Sequence, residues 1–303
     1  MLPDPTTLAL FVQAAEFGSI SRAAELSNLA LAAASRRISQ LEQHYNVKLL
    51  ARTSRGVELT AAGKALLPQA RQSLNLLHKL DVDLADYARG VRGHLRIQAN
   101  MSAMAQFLAD DLAAFAKSHP DVRLNLEERL TMEIVDAVRE GSTDIGVIVE
   151  QPHCEGMEVY SYRQDQLVLI TPPEHSLRQR AVWFSDVLNL DFVALEANTA
   201  LTRRMNLSAL AANKPLRLRV QVRSFEAVIR MVAAGLGVGV LPATVVQPFL
   251  RDGKIRSIAL RDPWSKREIY LCVRERAALP QMAEDLLSLM IDTGKHAFAR
   301  LAD

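Results

Sequence analysis

Ser19-Ile20-Ser21-Arg22-Ala23-Ala24-Glu25-Leu26, followed after a short gap by Leu31-Ala32-Ala33-Ala34-Ser35-Arg36-Arg37-Ile38-Ser39-Gln40-Leu41-Glu42, is the stretch that decides how this chain is read. Its apolar spacing predicts two short helices, one from Ser19 to about Ser27 and one from Leu31 to His44. Just ahead, Leu8, Phe11, Val12 and Ala15 recur at helical spacing, and Gly18 stands where a helix-ending glycine belongs. Ala23 and Ala24 let the second helix approach the third closely, while Leu26, Leu29, Ile38 and Leu41 supply a core. Three helices arranged this way are the scaffold of a helix-turn-helix. The outer face of the third carries Ser35, Arg36, Arg37 and Gln40, polar and guanidinium groups suited to phosphates and to base edges in a major groove. Arg52 and Arg55 then flank a turn at Gly56 before Val57-Glu58-Leu59, which predicts a wing able to touch the DNA backbone or the minor groove.

Working outward, nearly every segment from Leu8 to about Arg89 reads as helix, apart from the short strand-like piece at Val57 to Leu59. From Leu95 the texture changes. Apolar runs at Leu95 to Ile97, Ile145 to Val149, Leu167 to Ile170 and Val238 to Leu241 alternate with helical stretches, as in an α/β domain, and the boundary falls near Gly90 to His94. Between the two lies a helix from about Ala61 to Tyr87, in which Leu67 and Leu74 repeat at seven residues, as do Ala70, Leu77 and Leu84. Interleaved as a and d positions, they predict a two-stranded coiled coil and so a dimer; the competing reading packs the same stripe on the helix's own domain. Asp81 interrupts the seam, and Pro68 is expected to disturb the first turns.

At 303 residues and 49% hydrophobic the chain has room for two domains with separate cores. The net charge is only +2, so DNA affinity has to come from local clustering of basic residues. The two cysteines, Cys154 and Cys272, stand far apart without metal-ligand spacing, as expected for a reduced cytosolic protein. The first ten residues hold Asp4 and two prolines but no basic stretch leading into an apolar run, so no signal peptide is expected. No segment approaches the roughly 20 apolar residues of a membrane span, and the expected location is the cytoplasm. Gly235-Leu236-Gly237-Val238-Gly239 follows a helix and enters a strand, the reverse of a phosphate-cradling loop, and reads as a helix stop. His153 beside Cys154 cannot form a tetrahedral set alone, so no metal and no cofactor are expected. Without a nucleophile elbow or a motif of paired carboxylates, the chain is not expected to be an enzyme.

Several motifs occur in order: Leu8-x-x-Phe11, Ala15-Glu16-x-Gly18-Ser19-Ile20-Ser21-x-Ala23-Ala24, Ser35-Arg36-Arg37-Ile38-x-x-Leu41-Glu42, Leu49-Leu50-x-Arg52 and Leu59-Thr60-x-Ala62-Gly63. Together they resemble the N-terminal signature of LysR-type transcriptional regulators. The resemblance implies an all-α winged helix-turn-helix over residues 1–63 and a linker and dimerisation helix over 64–90. An α/β effector domain of the type 2 periplasmic-binding-protein kind would follow over 91–303, with one subdomain formed by 91–163 and 268–303 and the other by 164–267. The residues it sets against DNA are Ser21, Arg22, Leu31, Ala32, Ser35, Arg36, Arg37, Gln40, Arg52 and Arg55. One departure stands out. Many members carry Ser-Gln-Pro ahead of the recognition helix, whereas this chain has Ala30-Leu31-Ala32, so base readout there has to be apolar, for instance at a thymine methyl, or absent.

Clefts between such subdomains hold small ligands. Three loops are expected to face this one: Asn100, Met101 and Ser102; the helix start at Thr131; and Asn198, Thr199 and Ala200. By the resemblance, Ser102, Thr131 and Thr199 are effector contacts; read alone, each is an ordinary helix cap, and it is their joint placement across two half-domains that favours the functional reading. The implied partners are a double-stranded DNA operator, a small organic effector, RNA polymerase, and further copies of the chain as homodimer or homotetramer. The alternative is a ligand-independent repressor or architectural DNA binder whose C-terminal domain only oligomerises.

Overall fold

The computed structural model describes residues 3–53, 56–88, 93–150 and 154–302, except for the side chains at 78, 79, 82–88 and 295–302. The chain divides into two compact units, Met1–His94 with Arg139–Ser142, and Leu95–Val138 with Thr143–Asp303.

The first unit begins with α1 (Pro5–Phe17), α2 (Ile20–Leu26) and α3 (Leu31–Tyr45). Asp4 starts α1 by accepting from the Thr7 N–H at 3.0 Å, Pro5 presets its first turn, and Gly18 ends it at φ 60°. Ser19 caps α2 in turn, accepting from the Arg22 N–H at 3.2 Å. Leu10, Phe11, Ala14, Ala23, Ala34, Ile38 and Leu41 close over one another as the shared core. Beyond α3, β1 (Leu50–Thr53) pairs antiparallel with β2 (Gly56–Leu59), Leu50 opposite Leu59 and Arg52 opposite Val57. The sequence suggests only the second of these strands. The first is fixed by tertiary contacts: buried Glu42 accepts from the N–H groups of Leu49 and Leu50 at 3.0 and 3.2 Å. Gly56, at φ 139°, is the one residue type that fits its corner, because a Cβ there would stand 2.1 Å from the Gly18 carbonyl oxygen.

α4 (Ala61–Ala88) corrects two expectations. It runs through Pro68 without a break. Proline removes a single i to i−4 hydrogen bond, and the side chains on either side of it, Leu66, Leu67, Ala70 and Leu74, pack on the core of the helical unit and hold the turn. The same packing claims Leu67, Ala70 and Leu74, three of the five residues expected to form a dimer seam, with Ala70 only 1% exposed. A heptad stripe says which side of a helix is apolar, not what covers it, and here the first half is covered by its own unit. The open apolar positions are Leu76, Leu77 and Leu80, at 60%, 43% and 56% exposure. Of the expected seam, therefore, Leu77 is open, and the Leu84 side chain lies outside the described residues.

The second unit is α/β. Its elements in order are β3 (Gly93–Ala99), α5 (Met101–Gln106), α6 (Leu108–Ser118), β4 (Val122–Glu128), α7 (Thr131–Arg139), β5 (Ile145–Val149), β6 (Glu158–Thr171), β7 (Ala181–Val182), β8 (Phe192–Leu195) and α8 (Ala200–Ala211). They continue with β9 (Leu218–Val222), α9 (Phe225–Ala233), β10 (Gly239–Pro242), α10 (Ala243–Arg251), β11 (Arg256–Leu260), β12 (Lys266–Val273) and α11 (Gln281–Ala302). The main sheet runs β4-β3-β5-β12-β6-β11-β7, with β10 also on β6. All five residues of β5 are buried, as suits a central strand covered on both faces.

β6 and β12 organise this unit. The first part of β6 pairs with β12, Gln164 opposite Glu268 and Asp165 opposite Arg267, and its second part pairs with β10 and β11. One apolar core gathers Leu95, Ile97, Phe115, Tyr162, Leu271 and Leu286, and another gathers Leu169, Phe184, Phe192, Val228 and Ile258. The glycine-rich stretch ahead of β10 is a turn out of α9, with Gly235 at φ 79° and Gly237 pressed against the Asp191 carbonyl.

Candidate functional site

Two sites were expected, one on α3 and its wing and one in a cleft of the α/β unit. On α3 the residues Leu31, Ala32, Arg36 and Gln40 are exposed, and Ser35 is half-buried. Ala30 sits at the cap position without a side-chain bond to the helix, so the first N–H groups of α3 are left open beside exposed Leu31. Ser21 and Arg22 on α2 are exposed as well, Arg22 pairing with Glu25 at 2.9 Å. Arg52 is exposed on β1, and Arg55 lies outside the described residues.

Arg37 differs from the outward-facing cation that the sequence suggests. Its Nη1 donates to both Asp4 carboxylate oxygens, at 3.3 and 3.1 Å, and to the Thr7 hydroxyl at 3.1 Å. Residues i and i+1 on a helix point about 100° apart, so Arg36 and Arg37 cannot share one outer face, and Arg37 turns towards the start of α1. The Thr7 hydroxyl, more than the Arg37 charge, holds the Asp4 carboxyl below its ordinary range. Glu42 is a second functional support that the sequence did not single out. Burial alone would raise its carboxyl, but the Lys48 ammonium at 2.6 Å and the Leu49 and Leu50 N–H groups outweigh burial and leave it lowered. It is the joint between α3 and the wing.

In the α/β unit a cleft of about 700 Å³, including its open mouth, is lined by Asn100, Met101, Ser102, Thr131, Thr199 and Ala200, six of the seven residues expected there. Asn198 is the exception. The Thr199 N–H folds back onto the Glu196 carbonyl, and Asn198 is left exposed, its carbonyl accepting from Arg203. Asn100 and Thr199 are helix caps, accepting from Ala103 N–H at 2.9 Å and Thr202 N–H at 3.3 Å. Ser102 and Thr131 are not: each lies inside its helix, and at α7 the Glu133 carboxylate takes the Leu130 N–H at 3.0 Å. Their hydroxyls are accordingly not committed to capping.

The cleft also contains groups that sequence reasoning missed. Leu130, Val149, Leu195, Leu201 and Phe225 give it apolar walls, and Glu128, Arg129 and Glu133 line it too. Arg267, 8% exposed, reaches it from β12. Its Nη2 donates to the Ser102 hydroxyl at 3.1 Å and to Asp165, and Asp165 also accepts from Gln106 at 3.2 Å. Gln106 in turn accepts from Thr244 at the start of α10. This chain of side chains ties α5 to α10 through the two strands that organise the unit. Three buried atoms in it or beside it have no hydrogen-bond partner: Asn100 Nδ2, Arg267 Nε and Asp165 Oδ1. An unmet buried polar group is destabilising by about 1–3 kcal/mol. Among the described residues no group of three or more His, Cys, Asp or Glu is placed to hold a metal.

Residues 5–64 match the profile of the bacterial regulatory helix-turn-helix protein, lysR family, and residues 88–295 match that of the LysR substrate binding domain. The HTH-type transcriptional activator AllS of Klebsiella pneumoniae is 31% identical over 255 residues, covering 83% of this chain and 94% of AllS. Among solved structures, full-length CbnR complexed with its target DNA superposes with a TM-score of 0.63 at 23% identity, covering 97% of this chain and 99% of that one. The regulatory domain of CcmR from Synechocystis PCC6803, in complex with 2-PG, covers 67% of this chain and 98% of its own length, with a TM-score of 0.62 at 18% identity.

Proposed function

We propose a division of labour within this chain from the premise that it belongs to the LysR family of transcriptional regulators. It is a DNA-binding regulator with a winged helix-turn-helix and an effector-binding domain. In our reading α3 enters the major groove, with Arg36 and Gln40 at base edges and the open N–H groups at its start on a phosphate. Exposed Leu31 takes the place of the family's usual glutamine and meets an apolar group such as a thymine methyl. Arg52 on the wing contacts the backbone. Arg37 acts at one remove, fixing the angle of α3 against α1.

The observation that carries the regulatory half of this reading is the cleft, whose walls bring together residues from α5, α7 and α8 with Arg267 of β12. A ligand there changes transcription only if it favours one arrangement of the protein over another. The Ser102, Arg267, Asp165, Gln106 and Thr244 chain is the part of the unit best placed to register its arrival. Leu76, Leu77 and Leu80 on α4 form the apolar face through which two copies join, as homodimer or as half of a homotetramer. RNA polymerase is the expected downstream partner, and the cytoplasm the place of action. No described helix is long and apolar enough to cross a membrane.

The experiment is recovery and sequencing of genomic fragments bound by the purified full chain. The expected result is a small set of sites sharing a roughly palindromic motif, whose neighbouring genes narrow the effector. Fragments recovered in proportion to their length alone, with no shared motif, would contradict the reading.

A further inference from the structure

Resting on the reading of α3 as the helix that enters the major groove, we infer a specificity beyond it: the first turn of α3 discriminates bases by their C5 methyl group alone. 5-Methylcytosine is then accepted where the operator carries thymine, and unmodified cytosine is disfavoured. In helix-turn-helix docking the N-terminal residues of the second helix meet the base edges. Here those residues are Leu31, Ala32 and Ala33, all exposed, with Leu31 at 51%. None carries a side-chain donor or acceptor. The cap position, normally Ser, Thr, Asp or Asn, is Ala30, so no polar side chain stands there either. The polar side chains of α3 begin a turn later, with Ser35 half-buried and Arg36 and Gln40 exposed. Those around the helix start have other places. The Ser27 hydroxyl donates to Gln13 at 2.8 Å, and Asn28, exposed at φ 53°, forms the turn ahead of the helix. Arg22 pairs with Glu25 at 2.9 Å, and Ser21 lies with it on α2, the helix that crosses the backbone in this docking. The open N–H groups at the start of α3 suit a phosphate, which carries no sequence information.

In the major groove thymine shows the O4 acceptor and a C5 methyl, whereas cytosine shows the N4 amino group. A helical turn without polar side chains cannot tell that acceptor from that donor, but it gains by covering a methyl group. 5-Methylcytosine carries its methyl on the same carbon, so the two bases look alike to Leu31 and Ala32. Cytosine lacks the only group they engage. Ala32 and Arg36 are four residues apart on one face of the helix, about 6 Å along its axis, and so address base pairs within about two steps of each other. A guanidinium there pairs best with guanine O6 and N7. The favoured half-site therefore sets a C5-methylated pyrimidine close to a guanine.

The test titrates the full chain against synthetic duplexes of a genomic site that it selects. In one set each thymine in turn is replaced by deoxyuridine, which pairs as thymine does and lacks only the methyl group. In the other a thymine·adenine pair becomes cytosine·guanine, with and without the C5 methyl. Deoxyuridine at one thymine of each half-site is expected to weaken binding about fourfold, the factor for one buried methyl-sized group, and to be neutral elsewhere. At that position 5-methylcytosine should bind close to thymine and about fourfold better than cytosine. The deoxyuridine factor should hold across a salt series, because covering a methyl group releases no phosphate counterions. Leu31→Gln places an amide in the first turn that can pair with adenine. At this exposed position it should melt near the wild type, yet prefer thymine·adenine to the 5-methylcytosine·guanine pair that the wild type accepts. Deoxyuridine tolerated at every thymine, or cytosine bound as well as 5-methylcytosine, overturns the inference. So does a folded Leu31→Gln chain that keeps the wild-type ranking of the three bases. If the chain selects genomic sites and ignores the methyl group, the inference fails while the docking of α3 stands. If it selects no site at all, the reading of α3 falls together with the inference.

Discussion

The helical unit and the α/β unit handle charge in opposite ways. On α3 the cation proposed to read DNA, Arg36, is left at the surface, and its neighbour Arg37 is steered by exposed Asp4 and the buried Thr7 hydroxyl. In the α/β unit the decisive cation is buried, and Arg267 stands in a network in which several hydrogen-bonding atoms are unmet. A surface cation keeps its water until DNA displaces it, and contributes affinity that salt can screen. A buried one has already lost its water, so it binds strongly to whatever completes its set, and the fold suffers when its partner is removed. The first arrangement suits a unit that must slide over many sequences. The second suits a unit that must answer to one kind of molecule.

The largest expected effect tests the buried side of this contrast. Arg267→Met leaves Asp165 in a dry site without its partner, and should lower stability by about 3–5 kcal/mol in urea unfolding of the full chain. A loss below about 1 kcal/mol, the range of exposed pairs, would erase the distinction between the two units.

Glu42 sharpens the contrast, because it is a buried charge within the helical unit. Glu42→Gln exchanges charge-assisted bonds to the wing for neutral ones, and should cost about 1–3 kcal/mol. The pH dependence has a definite sign. The folded carboxyl is lowered below its ordinary 4.5, so its stabilising contribution is complete above that value and is lost as pH falls through the lowered one. Melting curves of wild type and Glu42→Gln should therefore converge on acidification below the usual carboxylate range. Curves that stay parallel through that window would remove the charge from the explanation.

The remaining effects belong to the surface. Arg36→Ala should weaken binding to the genomic site by about 1–3 kcal/mol and leave the melting temperature unchanged, as read by gel shift and thermal denaturation. Arg37→Ala should behave differently although it is the adjacent residue. Its exposed pair with Asp4 is worth about 0–1 kcal/mol, so a small drop in melting is expected, with DNA affinity falling only as far as α3 is loosened. Two neighbouring arginines with indistinguishable profiles would mean that both face DNA.

How far the sequence foretold all this follows from the range of the interactions. The three helices and their stops were legible because their signals are local: an apolar spacing, Ser19 as a cap, Gly18 in the left-handed region. Ser102, Thr131 and Thr199 were legible because they sit beside helix starts, which sequence marks well. Arg267 was not. It stands on a strand 165 residues from Ser102, and only the pairing of β12 with β6 brings it under the cleft. β1 was missed for a similar reason, since a buried carboxylate on α3 and not its own composition holds it extended. The seam on α4 went astray for another: periodicity reports an apolar face, and whether that face meets its own core or a second chain is decided by everything around it.

The account as a whole depends on α3 presenting its guanidinium-bearing face to duplex DNA, and the most direct measurement is the affinity of the full chain for genomic DNA fragments across a salt series. Affinity should fall linearly on logarithmic axes as salt rises, in proportion to the phosphates neutralised, and one or a few fragments should stay bound well beyond the rest. A chain that is folded by its melting curve yet shows no salt-sensitive attraction to any fragment would contradict the account at its root.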